Sequence, residues 1–225
     1  GVKKVVIETK YEPMVVDKEE TADPNMATST IQTGATNAWA AGYTGAGSKV
    51  AVIDTGIDYE HQSFSAAGYE YSMALNAAAA GMTVDEYKES VGVLEKADLT
   101  DEVLGQLNVK VNADKVYLNS KIPFAYNYID KNYTVNHMSD SQGEHGSHVE
   151  GIAAANKYIQ NDDGTFTAAL DSVMVQGVAP DAQIVTMKVF GAGGGAYDSD
   201  YMAAIEDAVV LGCDSVNLSL GSGAP

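Results

Sequence analysis

At 225 residues and 45% hydrophobic content the chain can bury one substantial core, and length alone demands no second domain. Thirty-one acidic residues stand against 13 lysines with no arginine, a formal net charge of -18 that argues against a phosphate-gripping surface and against nucleic acid as a partner. No run approaches the ~20 apolar residues that a membrane-spanning helix needs, and the single cysteine, Cys213, can form no internal disulfide.

The chain opens without a methionine or a signal-peptide pattern, as a trimmed or processed product would. Residues 1–11 (GVKKVVIETKY) alternate enough to predict a strand, and 12–25 are acidic and proline-punctuated, which predicts a linker and places the start of the globular domain near Met26. Residues 35–41 are helix-forming and 42–47 make a glycine-rich turn. Lys49 to Asp54 (KVAVID) is then a short, β-branched run ending in a carboxylate, the pattern of a buried strand in a parallel sheet.

Between 58 and 140 the pattern turns helical. Residues 71–80 are alanine-rich, and Thr83-Val84-Asp85-Glu86 fits a capping box ahead of a helix over 87–94. This stretch resembles an insertion. Residues 116–129 return to strand character and 145–157 predict a helix of small residues. Strand, helix and strand then follow over 184–190, 201–210 and 215–220, the βαβ signature of a parallel sheet with helices on its faces.

Asp54 is delivered to the C-terminal end of its own strand, where open α/β sheets build their sites. A carboxylate there can accept the Nδ1 proton of a histidine, fixing its tautomer and stabilising the imidazolium. Asp54-Thr55-Gly56 is also ordinary turn chemistry, and an aspartate that only caps the turn fits these residues equally well. His145, at a helix start and followed by Gly146, Ser147 and His148, suits a general base. His145 and His148 could share a helix face, but the spacing His-Glu-x-x-His is absent and no third ligand is fixed, so no metal site is assigned. His148 is expected to be a hydrogen-bonded core residue, His61 and His137 receive no role, and Cys213 reads as a small buried side chain.

Four separated segments carry a resemblance: VAVIDTGID (50–58), HGSHVEGIAAA (145–155), GVAPDAQIVTMKVF (177–190) and DSVNLSLGSG (214–223). In this order they resemble the subtilisin family of serine peptidases, and YNYID (126–130) is similar to the cell-envelope proteinases called lactocepins. The resemblance implies an α/β fold, a subtilisin-like parallel sheet with helices on both faces, incomplete in this chain. Asp54 and His145 become members of a Ser-His-Asp triad acting on extended polypeptides, a mechanism carried over from that family. Gly194, Gly195 and Ala196 match the edge segment that pairs with substrate, and Ser219, Leu220 and Gly221 match the strand lining the primary specificity pocket. Small residues there leave the backbone open to β-strand addition, though without the other motifs the glycine run reads as a flexible loop. A secreted or cell-envelope location is implied. No cofactor is required for the chemistry, and structural calcium is compatible with the family but has no assignable ligands.

The departures matter too. Glu150 stands where the family usually has a small residue and is expected to alter packing near His145; Ser147 replaces a common threonine. The family's nucleophilic serine and oxyanion asparagine are expected beyond Pro225, in the remainder of the catalytic domain, and no serine here sits in a Gly-x-Ser-x-Gly elbow. Residues 1–22 resemble a propeptide tail and linker, with 23–225 as the N-terminal part of the catalytic domain and an insertion at about 58–140. The helical part of that insertion, 71–107, is read either as a wall of the substrate channel or as a decoration remote from it. Two rival functions are a non-catalytic peptide-binding module of the same fold and a dinucleotide-binding domain, since Gly191-Ala192-Gly193-Gly194-Gly195-Ala196 formally fits G-x-G-x-x-A.

Overall fold

The computed structural model describes residues 4–5, 8–13, 26–136 and 143–221. Its centre is a parallel sheet of four strands in the order Phe124–Asn127, Gln183–Lys188, Lys49–Asp54, Ser215–Asn217. The Asp54 strand is thus flanked on both sides, with Val52 opposite Thr186 and Asn217, and Asp54 opposite Lys188.

Side-chain alternation assigns the two faces. Ala51 and Ile53 join Val185, Met187, Phe124 and Tyr126 in one core cluster with Ala204 and Ala208 of the helix Asp198–Val210. Val50, Ile184 and Ala125 point the other way, into a second cluster with Ala154 of the helix His145–Ala154. Helices therefore cover both faces, and the strands read as continuous apolar runs rather than alternating ones. Removing a fully buried side chain such as Ile53, to alanine, costs roughly 2–5 kcal/mol in such a core.

Several predicted elements have different bounds, each for a local reason. The alanine-rich helix runs Ala66–Ala80, starting earlier than expected because the Ser65 hydroxyl accepts from the Gly68 amide and caps it. The capping box forms as read, through Thr83 and Glu86, and its helix spans Val84–Val91. Strand character over 116–129 shrinks to Phe124–Asn127, because Asn112 caps a helical turn at Ala113–Val116 and Asn119 organises a turn at Lys121.

The helical part of the insertion docks at the starting ends of the parallel strands. Gln183, the first residue of its strand, exchanges hydrogen bonds with the Leu94 backbone, and Lys49, the first of its own, reaches the Gly92 carbonyl. Ser72 and Asn76 both donate to buried Asp181, at 2.5 and 3.0 Å. Asp54 ends the strand that Lys49 begins, about 17 Å away at the rise of a β-strand. Ser72, Asn76, Gly92 and Leu94 therefore dock at the end of the strands opposite Asp54, which favours the remote-decoration reading of 71–107.

A separate three-stranded antiparallel sheet places Lys10–Pro13 between Ala196–Tyr197 and Leu220–Gly221. The register pairs Lys10 with Tyr197, Tyr11 with Ala196, Glu12 with Gly221 and Pro13 with Leu220. Glu12 and Pro13, expected in the linker, belong to the strand; residues 1–3, 6–7 and 14–25 lie outside the described residues.

Candidate active site

Asp54 is 1% exposed at the end of its strand. Its Oδ1 accepts the Thr55 amide at 2.7 Å and lies 2.7 Å from Nδ1 of His145, the first residue of its helix. A histidine that donates Nδ1–H to a carboxylate keeps Nε2 as its basic nitrogen, and the buried acid stabilises the imidazolium formed when Nε2 takes a proton.

Two glycines allow the close approach. A Cβ on Gly146 would meet the Gly56 carbonyl oxygen at 2.1 Å, and Gly56 itself has φ 105, so the helix start lies directly on the turn after Asp54. The Gly146 amide donates to Thr55 Oγ1 at 2.8 Å, and the Ser147 hydroxyl accepts the Asp58 amide while donating to Glu144. Buried Lys188 donates Nζ to the Thr55 carbonyl. The turn carrying Asp54 is thus held from the helix and from the neighbouring strand.

Glu150, on the same helix, is fully buried against the sheet, where its Oε1 accepts the Thr186 hydroxyl at 2.7 Å. Burial pushes its carboxyl well above the usual range, and the charge of Asp54 adds to this against the opposing bond from Thr186. Glu150 Oε2 and Asp54 Oδ2 have no hydrogen-bond partner among the described residues.

His148 departs from expectation: it is exposed, on the outer side of the helix, lining an open groove of about 610 Å³ with Asp58, His61 and Ile152. A histidine three residues after His145 is turned by about 300°, and here the turn carries it out of the core. His61 caps a short helical turn through Nδ1, which accepts the Ser63 amide, and His137 lies outside the described residues. Among the described residues no group of three or more His, Cys, Asp or Glu side chains could hold a metal ion. Cys213 is half-buried beside the main core, with its thiol pushed up to about 12 by burial.

The predicted substrate edges both issue from strands that neighbour Asp54. The Val189 amide bonds the Asp54 carbonyl, so the loop to Ala196 leaves the sheet beside it, and Ser215–Asn217 leads on the other side to Leu220. Ala196, Leu220 and Gly221 pair with the Lys10–Pro13 strand. Gly195 abuts that strand: at φ 97, a Cβ there would meet Lys10 Cε at 2.2 Å and the Tyr11 carbonyl oxygen at 3.0 Å. Gly194 closes a turn onto the Gly191 carbonyl, and Ser219 donates to Asn217; neither is in the ladder. The glycine loop thus receives a peptide strand, an arrangement that does not favour the dinucleotide reading. Tyr201 and Asp198, which contact Tyr11, were not singled out in the sequence; no motif marks them.

Residues 45–225 match the Subtilase family. The chain is 29% identical over 213 residues to the minor extracellular protease Vpr of Bacillus subtilis (strain 168), covering 92% of this chain and 18% of that protein. It is 32% identical over 187 residues to the PI-type proteinase of Lactococcus lactis subsp. cremoris, covering 80% of this chain and 8% of that protein. It is 26% identical over 191 residues to the C5a peptidase of Streptococcus pyogenes serotype M6, with 80% and 12% covered. The chain thus spans less than a fifth of the length of each of these relatives. With its parallel sheet, helix-covered faces and a match from residue 45 onward, the chain belongs to the subtilase family.

Proposed function

We propose that Asp54 and His145 are the acid and the base of a Ser-His-Asp triad in an extracellular or cell-envelope serine endopeptidase. The serine and the oxyanion asparagine belong to polypeptide following residue 225. The observation that carries this reading is the 2.7 Å Asp54–His145 contact at the end of a central strand whose two neighbours lead into peptide-pairing edges. His145 Nε2 takes the hydroxyl proton as the serine attacks the scissile carbonyl, Asp54 stabilises the imidazolium, and the same proton passes to the leaving amine. Substrate enters as an added strand between Ala196 and Leu220–Gly221. Residues 8–13 are a propeptide tail that occupies this cleft before activation.

A fluorophosphonate probe on the full-length protein tests the reading. Labelling of one serine beyond residue 225, abolished by His145→Ala, is expected, and residues 1–225 alone should stay unlabelled. A full-length protein that binds peptides yet never labels would instead be a non-catalytic module of this fold.

A further inference from the structure

Two buried oxygens under the His145 helix, Oε2 of Glu150 and Oδ2 of Asp54, share one face of the fold. Periodicity puts them there. Gly146, Glu150 and Ala154 follow one another at four-residue spacing and make the stripe that the helix buries against the sheet. The face that seats Gly146 on Gly56 therefore carries Glu150 about 6 Å farther along. On the strand beneath, Val52 and Asp54 share a face by alternation, and Val52 stands opposite Thr186, the residue that holds Glu150 Oε1 at 2.7 Å.

The acid proton has a place in this arrangement. The Thr186 hydroxyl is fully buried, and its only hydrogen-bond partner among the described residues is Glu150 Oε1. Its proton therefore goes to Oε1, which leaves the proton of the Glu150 carboxyl for Oε2. Burial and the charge of Asp54 keep that proton bound, since losing it would set a second anion beside the first. Lys188, opposite Asp54 in the sheet, directs Nζ to the Thr55 carbonyl and not to Oε2. Asp58, His61, Glu144 and His148 line the groove on the outer side of the helix. An O–H at Oε2 and a carboxylate oxygen at Asp54 are complementary, and one water between them satisfies both.

Resting on the reading of Asp54 and His145 as acid and base, we propose that Glu150 is a positioning residue for the triad: its protonated carboxyl donates from Oε2, through one water, to Oδ2 of Asp54. A donor on Oδ2 draws charge away from Oδ1, the oxygen that faces His145. Asp54 then holds the imidazolium less tightly, and His145 stays unprotonated, and so able to act as a base, down to a lower pH.

The acidic limb of the kcat/KM profile reports protonation of the base in the free enzyme, and it tests this on the full-length protein. Glu150→Leu removes the donor, so the midpoint of the limb should rise by about 0.5–1 pH unit, the effect of one hydrogen bond to an ionised group felt at one remove. Glu150→Gln keeps an N–H toward Asp54 and an oxygen for Thr186 without a charge, and its limb should coincide with the parent's. A Leu limb that coincides with the parent's would overturn the proposal, the result also expected if the acid proton sat on Oε1. A Gln limb below the parent's would overturn it as well, by showing that Glu150 is an anion in the working enzyme. If Glu150→Leu does not fold, Glu150→Leu with Thr186→Val replaces both partners by apolar groups and carries the same expectation. A second readout needs no turnover: the ring titration of His145, followed by NMR in the full-length protein and assigned by its loss in His145→Ala, should move with the same variants. A titration that moves in a protein cleaving no peptide would leave the Glu150 link standing and sink the peptidase reading; cleavage with an unmoved titration would do the reverse.

Discussion

Gly146 rests on Gly56 so closely that a Cβ on Gly146 would lie 2.1 Å from the Gly56 carbonyl oxygen. The clash partner is backbone, so it cannot move aside as a flexible side chain would. Gly146→Ala should push the helix start away from the turn and carry His145 with it. We expect a loss of about 1–3 kcal/mol in stability from overpacking, with a kcat loss larger than that stability loss explains. Thermal unfolding and peptide kinetics on the full-length protein measure the two; unchanged kinetics would mean that the approach does not set His145.

Asp54→Asn and His145→Ala should act on turnover and spare peptide binding, since the proton transfers belong to the transition state. Expected losses are about 10⁴ for the aspartate and about 10⁶ for the histidine, magnitudes taken over from subtilisin. If His148→Ala, at an exposed position, caused the larger loss, the assignment would be off by one turn.

Glu150 should couple stability to pH. Its folded carboxyl holds a proton well above the ordinary value of 4.5 because of burial. Its stabilising contribution is therefore complete below about 4.5 and is lost as pH rises toward the raised folded value. Glu150→Gln keeps an acceptor for Thr186 and removes the titration. Denaturation between pH 4.5 and 8 should show the variant gaining on the parent as pH rises, by up to about 1.4 kcal/mol per pH unit. Parallel curves would show that Glu150 does not bury a proton.

Lys121 should have the opposite slope. It is fully buried, which pulls its amine down to about 7, and its Nζ donates to the carbonyls of Pro180 and Ala182 at 2.8 and 2.6 Å. A neutral amine has two N–H donors, which match these two acceptors. Above pH 7 the unfolded chain holds a proton that the folded one lacks, so this group makes stability rise with pH. Lys121→Met should flatten the rise between pH 7 and 9, and lower stability throughout by roughly 1–3 kcal/mol for each orphaned carbonyl. A variant that keeps the parent's slope would assign the rise elsewhere.

Ser72→Ala removes one of the two side-chain bonds to Asp181 and should destabilise by about 1–3 kcal/mol. Because this contact lies at the opposite end of the strands from Asp54, the pattern of peptide bonds cut should not change. A shifted cleavage pattern would show that the insertion communicates with the cleft.

The residues most legible in the sequence are those whose pattern is local. KVAVID gave the strand Lys49–Asp54 with both ends right, and Thr83-Val84-Asp85-Glu86 gave a capping box. Asp54 and His145 were found by family motif, and their pairing needed the sheet and helix to meet. What escaped was set by contacts between distant segments. Glu150 is polar in sequence yet belongs to the core only because the helix lies on Thr186. The insertion's side of the sheet depended on Gln183 and Asp181, which no periodicity within 58–140 reveals. Tyr201 and Asp198 gain meaning only beside Tyr11.

That last meeting joins residues 190 positions apart. Closing so long a loop must be offset by contacts that exist only once both flanking edges stand, since among the described residues Lys10–Pro13 pairs only with these two distant strands. Docking of Lys10–Pro13 therefore requires both edges, and with them the Asp54 strand and its neighbours, to be in place together.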